Sequence, residues 1–350
     1  MMPVVPPAPN DGGGTPAHQR RQYVWLIRYG RTDPPLLENI GNYDSDLHKD
    51  GITHATAIAE RLASGHHDGG ESSSSSSSST TTFSSNSALP KIVYSDPFLR
   101  CMRTADVVVK TLNSNATSSS TGITGTTRTG SAGADAKNGD DIKIRVEEGT
   151  TEWQVPSLLV DKDGKLTNPR STEELVKLFS DTVDATYRSV NPQGPDQAAD
   201  TSSNEKGEDE ASNHDDGPSS YYPPRFPETE EQLHRRCQCT IRRILADVGG
   251  TESFAIVGHA PCVQSMALAL MGEERPEDCP EPGPWSLGGM TLFSRPIGTS
   301  SGGEGGEEEG RGGTKSDKWT LEFYSDTTHM PGEYKDGKLG RWSLPSFDRS

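Results

Sequence analysis

The chain has 350 residues, is 30% hydrophobic and carries a formal net charge of −17. So low an apolar share leaves much of the chain unable to contribute to a packed core. The acidic balance disfavours a nucleic-acid backbone as the main partner.

The shortfall is concentrated in four segments, residues 64–88, 113–140, 191–220 and 298–317. The first contains the unbroken run Ser72–Ser79, the second is nearly all Ser, Thr, Gly, Asn and Ala, and the last is rich in Gly and Glu. Residues 196–217 hold eight acidic groups against one Lys, and residues 299–313 hold four against one Arg. More than half of the charge excess therefore falls on these inserts, which are read as disordered because they cannot bury enough apolar surface to offset chain entropy. What remains, after a tail over residues 1–22, is one domain over 23–330 with an extension over 331–350.

The five cysteines are odd in number and none stands in a CxxC pair, so neither a disulfide framework nor a zinc site is expected. No cofactor or metal is expected either. With no signal-peptide core and no run of membrane-spanning length, the expectation is a soluble protein of the cytoplasm or nucleus.

In chain order, the apolar run Tyr23-Val24-Trp25-Leu26-Ile27 reads as a strand that stops at Arg28-Tyr29-Gly30. A helix follows with Ile52, Ala55, Ile58, Ala59 and Leu62 on one face. Lys91-Ile92-Val93-Tyr94 is a short strand, and the helix after Ser95-Asp96-Pro97 carries Leu99, Met102, Ala105, Val108, Val109 and Leu112. Pro97 suits the first turn of that helix, with Ser95 or Asp96 as its cap. A third strand, 142–146, runs into Glu147, Glu148 and Glu152.

Ser171-x-x-Glu174 and Thr229-x-x-Gln232 have capping-box spacing and open two helices. The second of these carries Leu233, Cys237, Ile241, Ile244 and Leu245. The most apolar strand, 253–257, ends in Gly258-His259, and strands at 290–295 and 319–324 close the series as an overgrown hairpin. Alternating strands and helices with near-continuous apolar strands imply an α/β fold, three-layer α/β/α, with a mainly parallel sheet.

In such a sheet the carboxyl ends of the strands share one edge, where Arg28, Arg100 and His259 can converge. Two guanidiniums and an imidazole suit a tetrahedral dianion, since Arg offers planar bidentate bonds to phosphate oxygens. Each residue alone also has a bland reading: Arg100 as a surface helix residue, His259 as a capping histidine, Glu152 as a loop carboxylate. His48 and His54 are placed at the surface.

These residues carry a resemblance. Arg28-Tyr29-Gly30-Arg31-Thr32 resembles the Arg-His-Gly signature of the histidine phosphatase (phosphoglycerate-mutase-like) superfamily. Asp46-Leu47-His48-Lys49-Asp50-Gly51 is similar to its D-x-L-T-x-x-G segment, Ser95–Arg100 with Thr104-Ala105 to its S-x-P-x-x-R-x-x-x-T-A helix, and Val257–Ala260 to its late V-x-H-[AG]. Arg145–Gly149, Glu152-Trp153 and Val183–Arg188 resemble the eukaryotic branch typified by the suppressor of T-cell receptor signalling phosphatases.

The resemblance implies metal-free transfer or hydrolysis of a phosphate monoester, with Arg28, Arg100 and His259 holding the phosphoryl oxygens. It sets Glu152 at the position of the general acid, with Glu147 and Glu148 nearby. It also exposes a departure, because Tyr29 occupies the place of the nucleophilic histidine. Neutral imidazole offers a lone pair at neutral pH, whereas a phenol there is almost wholly protonated. Arg31 and Pro34-Pro35 depart further, and disfavour phosphoglycerate mutase activity.

Three functions follow. One is a pseudophosphatase that binds a phosphate monoester or phosphorylated ligand and regulates. A second is an active phosphomonoesterase using Tyr29 or another nucleophile. The third is an interaction module with a relic pocket, touching proteins through its acidic inserts.

Overall fold

The protein is described by a computed structural model over residues 20–33, 44–64, 88–120, 141–160, 164, 166–190, 226–272, 284–297, 318–338 and 340–344. Most of the residues assigned to the four inserts, and Pro34-Pro35, lie outside these ranges.

Six strands form one sheet: β1 (Arg21–Arg28), β2 (Ile92–Ser95), β3 (Lys143–Val146), β4 (Phe254–Gly258), β5 (Met290–Pro296) and β6 (Thr320–Asp326), in the order β3-β2-β4-β1-β5-β6. The run from β3 to β1 is parallel, and β5 is antiparallel to both β1 and β6. The helices are α1 (Lys49–Ser64), α2 (Leu99–Ser120), α3 (Pro156–Leu159), α4 (Thr172–Leu178), α5 (Glu230–Asp247) and α6 (Ala260–Met271).

The period-2 alternation of β1 divides the core into two layers. Tyr23, Trp25, Ile27 and Tyr29 join Ile58, Ala59 and Leu62 of α1 and Met102, Ala105, Val108 and Val109 of α2. Val24 and Leu26 point the other way, onto Leu233, Cys237, Ile241 and Ile244 of α5 and Val263, Met266 and Ala267 of α6. Helices thus cover both faces of a mainly parallel sheet, as the strand composition implied. The phase of β1 also fixes where Tyr29 points: it shares the α1/α2 face with Trp25 and Ile27.

Both capping boxes form, with Ser171 and Glu174 bonding reciprocally ahead of α4, and Thr229 and Gln232 ahead of α5. Ahead of α2, Asp96 Oδ1 accepts from the Phe98 amide at 2.7 Å and Asp44 Oδ1 from the Leu99 amide at 2.6 Å. The helix continues to Ser120, eight residues beyond the boundary drawn at 112. Asn113 brackets that region through both a donated and an accepted bond to the Ile142 backbone, at 3.1 and 3.0 Å.

Two expectations for α1 are corrected. Ile52 is exposed, and His54 is fully buried. The buried face runs His54, Ala55, Ile58, Ala59, Leu62, so the helical phase admits His54 and turns Ile52 outward. His54 Nδ1 accepts from the Arg31 amide at 3.4 Å, and its ring packs edge-on to Tyr334 with centroids 4.2 Å apart.

A Cβ on Gly30 would fall 2.6 Å from the Gly51 carbonyl oxygen, and one on Gly51 would fall 2.1 Å from that of Arg31. The loop after β1 and the start of α1 therefore touch backbone to backbone, a contact that glycine alone permits.

Burial sets a pH dependence. It pushes His54 and His329 down to about 4, so both are neutral in the folded protein at pH 7. Asp50 opposes this at His54, where Arg31, His48 and His329 add to it; Asp326 opposes it at His329, where Arg61 adds to it. A depressed histidine contributes stability that is full above its ordinary value near 6.5 and is lost as pH falls toward about 4. The expected result is a Tm that falls between pH 6.5 and 4.5, with a loss on the order of 1–3 kcal/mol per histidine. In thermal melts, His54→Gln makes that decline shallower; an unchanged slope would show that His54 is not one of the groups responsible.

Candidate phosphate site

Four parallel strands deliver the candidate residues to one edge. Arg28 ends β1 and Tyr29 follows it, Asp96 follows β2, Arg100 and Cys101 lie in the first turn of α2, Glu152 follows β3, and His259 follows β4. All six of these side chains other than Tyr29 are polar or ionisable, and all seven positions are buried.

His259 is the hub. Its Nδ1 donates to Glu152 Oε2 at 2.6 Å, while Nε2 lies 3.3 Å from Asp96 Oδ1 and 3.5 Å from Cys101 Sγ. Arg100 Nη2 reaches the same Glu152 oxygen at 3.4 Å and stands 3.3 Å from His259 Nδ1. Those two donors tolerate each other because one carboxylate lies against both. Rings close the remaining sides, with Tyr29 and Phe98 edge-on to His259 at 5.2 and 5.5 Å between centroids.

The electrostatics follow from this packing. Burial works against a charged His259 and Arg100 adds to it, but Cys101, Glu152 and Asp96 around the ring outweigh both and raise the imidazole well above its usual range, the carboxylates doing so at neutral pH. Burial likewise opposes an ionised Glu152, and His259 and Arg100 overcome it, so its carboxyl sits below the usual value. Burial pushes the Cys101 thiol up to about 11, leaving it protonated at neutral pH.

The sequence-predicted residues meet around one ring. The guanidinium carbons of Arg28 and Arg100 lie 5.6 and 5.2 Å from the Tyr29 centroid, and His259 packs against the same ring. Of the three glutamates left open by the sequence, Glu152 is the one that touches His259. Glu147 is spent on structure, accepting from the Gly149 and Val190 amides and from the Ser189 and Tyr187 hydroxyls. Arg31 pairs with Asp50 at 2.8 Å and with the Tyr334 hydroxyl at 2.9 Å. His48 is bound to Asp50 at 3.3 Å, so it and His54 belong to the α1 side and not to this cluster.

Two features were not foreseen. Arg28 Nη1 donates to the carbonyls of Trp285 and Gly340, so the segment expected as an extension packs directly on the candidate anion group. Trp342 pairs with Trp285 through two backbone bonds and Leu344 is buried beside α6. The second is Arg236 of α5, which binds both oxygens of Glu228 at 2.8 Å and the carbonyls of Gly149 and Thr151 at 2.9 Å. It clamps the loop that carries Glu152. Cys262 adds a thiol bond to the Thr151 carbonyl at 2.9 Å.

No family model matches this chain, and no curated protein matches it. Among solved structures it is similar to a mycobacterial glucosyl-3-phosphoglycerate phosphatase at 13% identity and TM-score 0.42, covering 87% of this chain and 99% of that one. A mutant phosphoserine phosphatase from Entamoeba histolytica, in complex with phosphoserine, is similar at 14% identity and TM-score 0.41, covering 89% and 100%. The ecdysone phosphate phosphatase from Bombix mori, in complex with tungstate, is similar at 15% and 0.40, covering 83% and 98%. Identities and scores this low carry no argument about function, which rests on the residues themselves. No helix among the described residues is long and apolar enough to cross a membrane.

Proposed function

We propose that this chain is a histidine-phosphatase-superfamily protein that binds a phosphate monoester and is impaired in hydrolysing it, acting as a binding or regulatory pseudophosphatase. The observation that carries the reading is the meeting of Arg28, Arg100 and protonated His259 around the Tyr29 ring, at the ends of parallel strands. Three cationic donors in one buried site suit a dianion, because low dielectric strengthens each charge-assisted bond. The resemblance sets Glu152 at the leaving-group acid, but here it is a carboxylate paired with His259 and Arg100. Tyr29 supplies no ready lone pair at neutral pH, and both features favour binding over turnover. The assignment to the eukaryotic branch rests on the Arg145–Gly149 and Val183–Arg188 motifs and belongs to the same proposal, as does contact with proteins through the acidic inserts.

For the ligand to bind, Arg28 exchanges its bonds to the Trp285 and Gly340 carbonyls for bonds to the phosphoryl group. Isothermal titration of phenyl phosphate tests the reading. Binding to the wild type is expected, weakened about tenfold or more in Arg28→Ala, the loss appropriate to one charge-assisted hydrogen-bonding group. Equal affinity in both proteins, or no binding to the wild type, would overturn it.

A further inference from the structure

We infer that residues 340–344 form an autoinhibitory strap, docked on the anion site and released when a phosphoryl group takes Arg28. The strap presupposes the phosphate site proposed above and regulates it. Arg28 Nη1 donates to the Gly340 carbonyl, so a residue 312 positions further along the chain holds one of the cations assigned to the ligand.

The rest of the strap is anchored on the elements that deliver the site. Trp342 exchanges backbone bonds with Trp285 at 2.7 and 3.2 Å, and Trp285 gives its other neighbour, Arg28, the same carbonyl oxygen. The Trp342 ring packs edge-on to Trp153, the residue after Glu152, with centroids 6.4 Å apart. Leu344 is fully buried, and its amide donates at 3.0 Å to Gln264 Oε1, on the helix that opens directly after His259. The preceding stretch is tied down separately. Ser286 Oγ donates to the Gly337 carbonyl, and the Tyr334 hydroxyl meets Asp50 at 3.1 Å and Arg31 at 2.9 Å. Release of residues 340–344 therefore leaves the base of the strap in place.

Gly340 is what aims the inhibitory carbonyl. Its φ is +61°, in the region L side chains rarely adopt, and a Cβ there would fall 2.6 Å from the Leu287 side chain.

The docked strap serves Arg28 incompletely. Two carbonyl dipoles share Nη1, and Nε is buried without a hydrogen-bond partner among the described residues. A phosphoryl dianion brings charged oxygens in bidentate geometry, the stronger partner for a guanidinium. Strap and dianion thus compete for one side chain, and the coupling is reciprocal: each weakens the other by the same factor. A strap docked in about nine molecules of ten lowers apparent ligand affinity about tenfold.

Two measurements on the full chain test this with phenyl phosphate. In the wild type, hydrogen exchange at the Trp342 and Leu344 amides is expected to quicken about tenfold at saturating ligand, while the β4 amides keep their protection. In isothermal titration, Gly340→Val, which cannot seat its carbonyl on Arg28, is expected to bind about tenfold more tightly than the wild type. Strap amides that bound ligand leaves unchanged or protects further would overturn the proposal, whether or not the variant folds. So would a folded variant that binds no more tightly than the wild type. In both cases the wild type still binds phenyl phosphate and the phosphate reading stands. A wild type that does not bind overturns that reading, and the strap with it.

Discussion

Tyr29→His is expected to raise hydrolysis of p-nitrophenyl phosphate by at least ~10³-fold over the wild type, without other changes to the site. Tyr29 lies on the α1/α2 face of the sheet, its ring 5.2 Å from that of His259 and with Arg28 and Arg100 on it. An imidazole there has a lone pair at neutral pH and lies among the groups that would neutralise the transferring phosphoryl charge. In an unrelated hydrolase, removing the nucleophile costs on the order of 10⁶ in turnover, so restoring one leaves ample room for the gain. Steady-state assays of the two proteins check it. A wild type already active, and weakened by the substitution, would make Tyr29 a working nucleophile and favour the enzyme reading.

Arg236→Ala is expected to destabilise the fold by about 3–5 kcal/mol, the usual cost of breaking a buried ion pair from one side. The substitution leaves Glu228 buried without its ion-pair partner and strips two carbonyls, Gly149 and Thr151, of their 2.9 Å donor. It also frees the loop that sets Glu152 against His259. Urea unfolding measures the loss. The double variant Arg236→Met with Glu228→Met should be more stable than Arg236→Ala, because no unpaired charge remains. A double variant no better than the single would show that the carbonyl bonds, and not the ion pair, dominate.

Much of this was legible in the sequence, and the reasons are local. The strand ends at Arg28 and His259, and the caps at Ser171 and Thr229, are written within a few consecutive residues. Periods of 2 and 3.6 then carry them into the sheet and the helices. What escaped notice needed either phase or distance. His54 sits four residues before Ile58 on the buried face of α1, so its burial follows from the helix phase, but its polarity led it to be placed outside. Arg236 stands on the same α5 stripe as Leu233, Cys237 and Ile241, and a charge on an apolar stripe is the signal that could have found it.

The remaining features are tertiary. Nothing near Arg28 in the chain announces that its guanidinium meets Trp285 and Gly340, more than 250 residues away. Likewise, Asp96 and Cys101 each look like ordinary helix-start residues until β4 brings His259 between them.

The central claim is that the buried cations of this site receive a phosphoryl group. A crystal structure of the full chain with orthovanadate tests it most directly. The account predicts a tetrahedral or trigonal-bipyramidal vanadate within hydrogen-bond distance of Arg28, Arg100 and His259, beside Tyr29, with Arg28 turned away from the Gly340 carbonyl. Vanadate bound elsewhere, with Arg28 still held by Trp285 and Gly340, would contradict it.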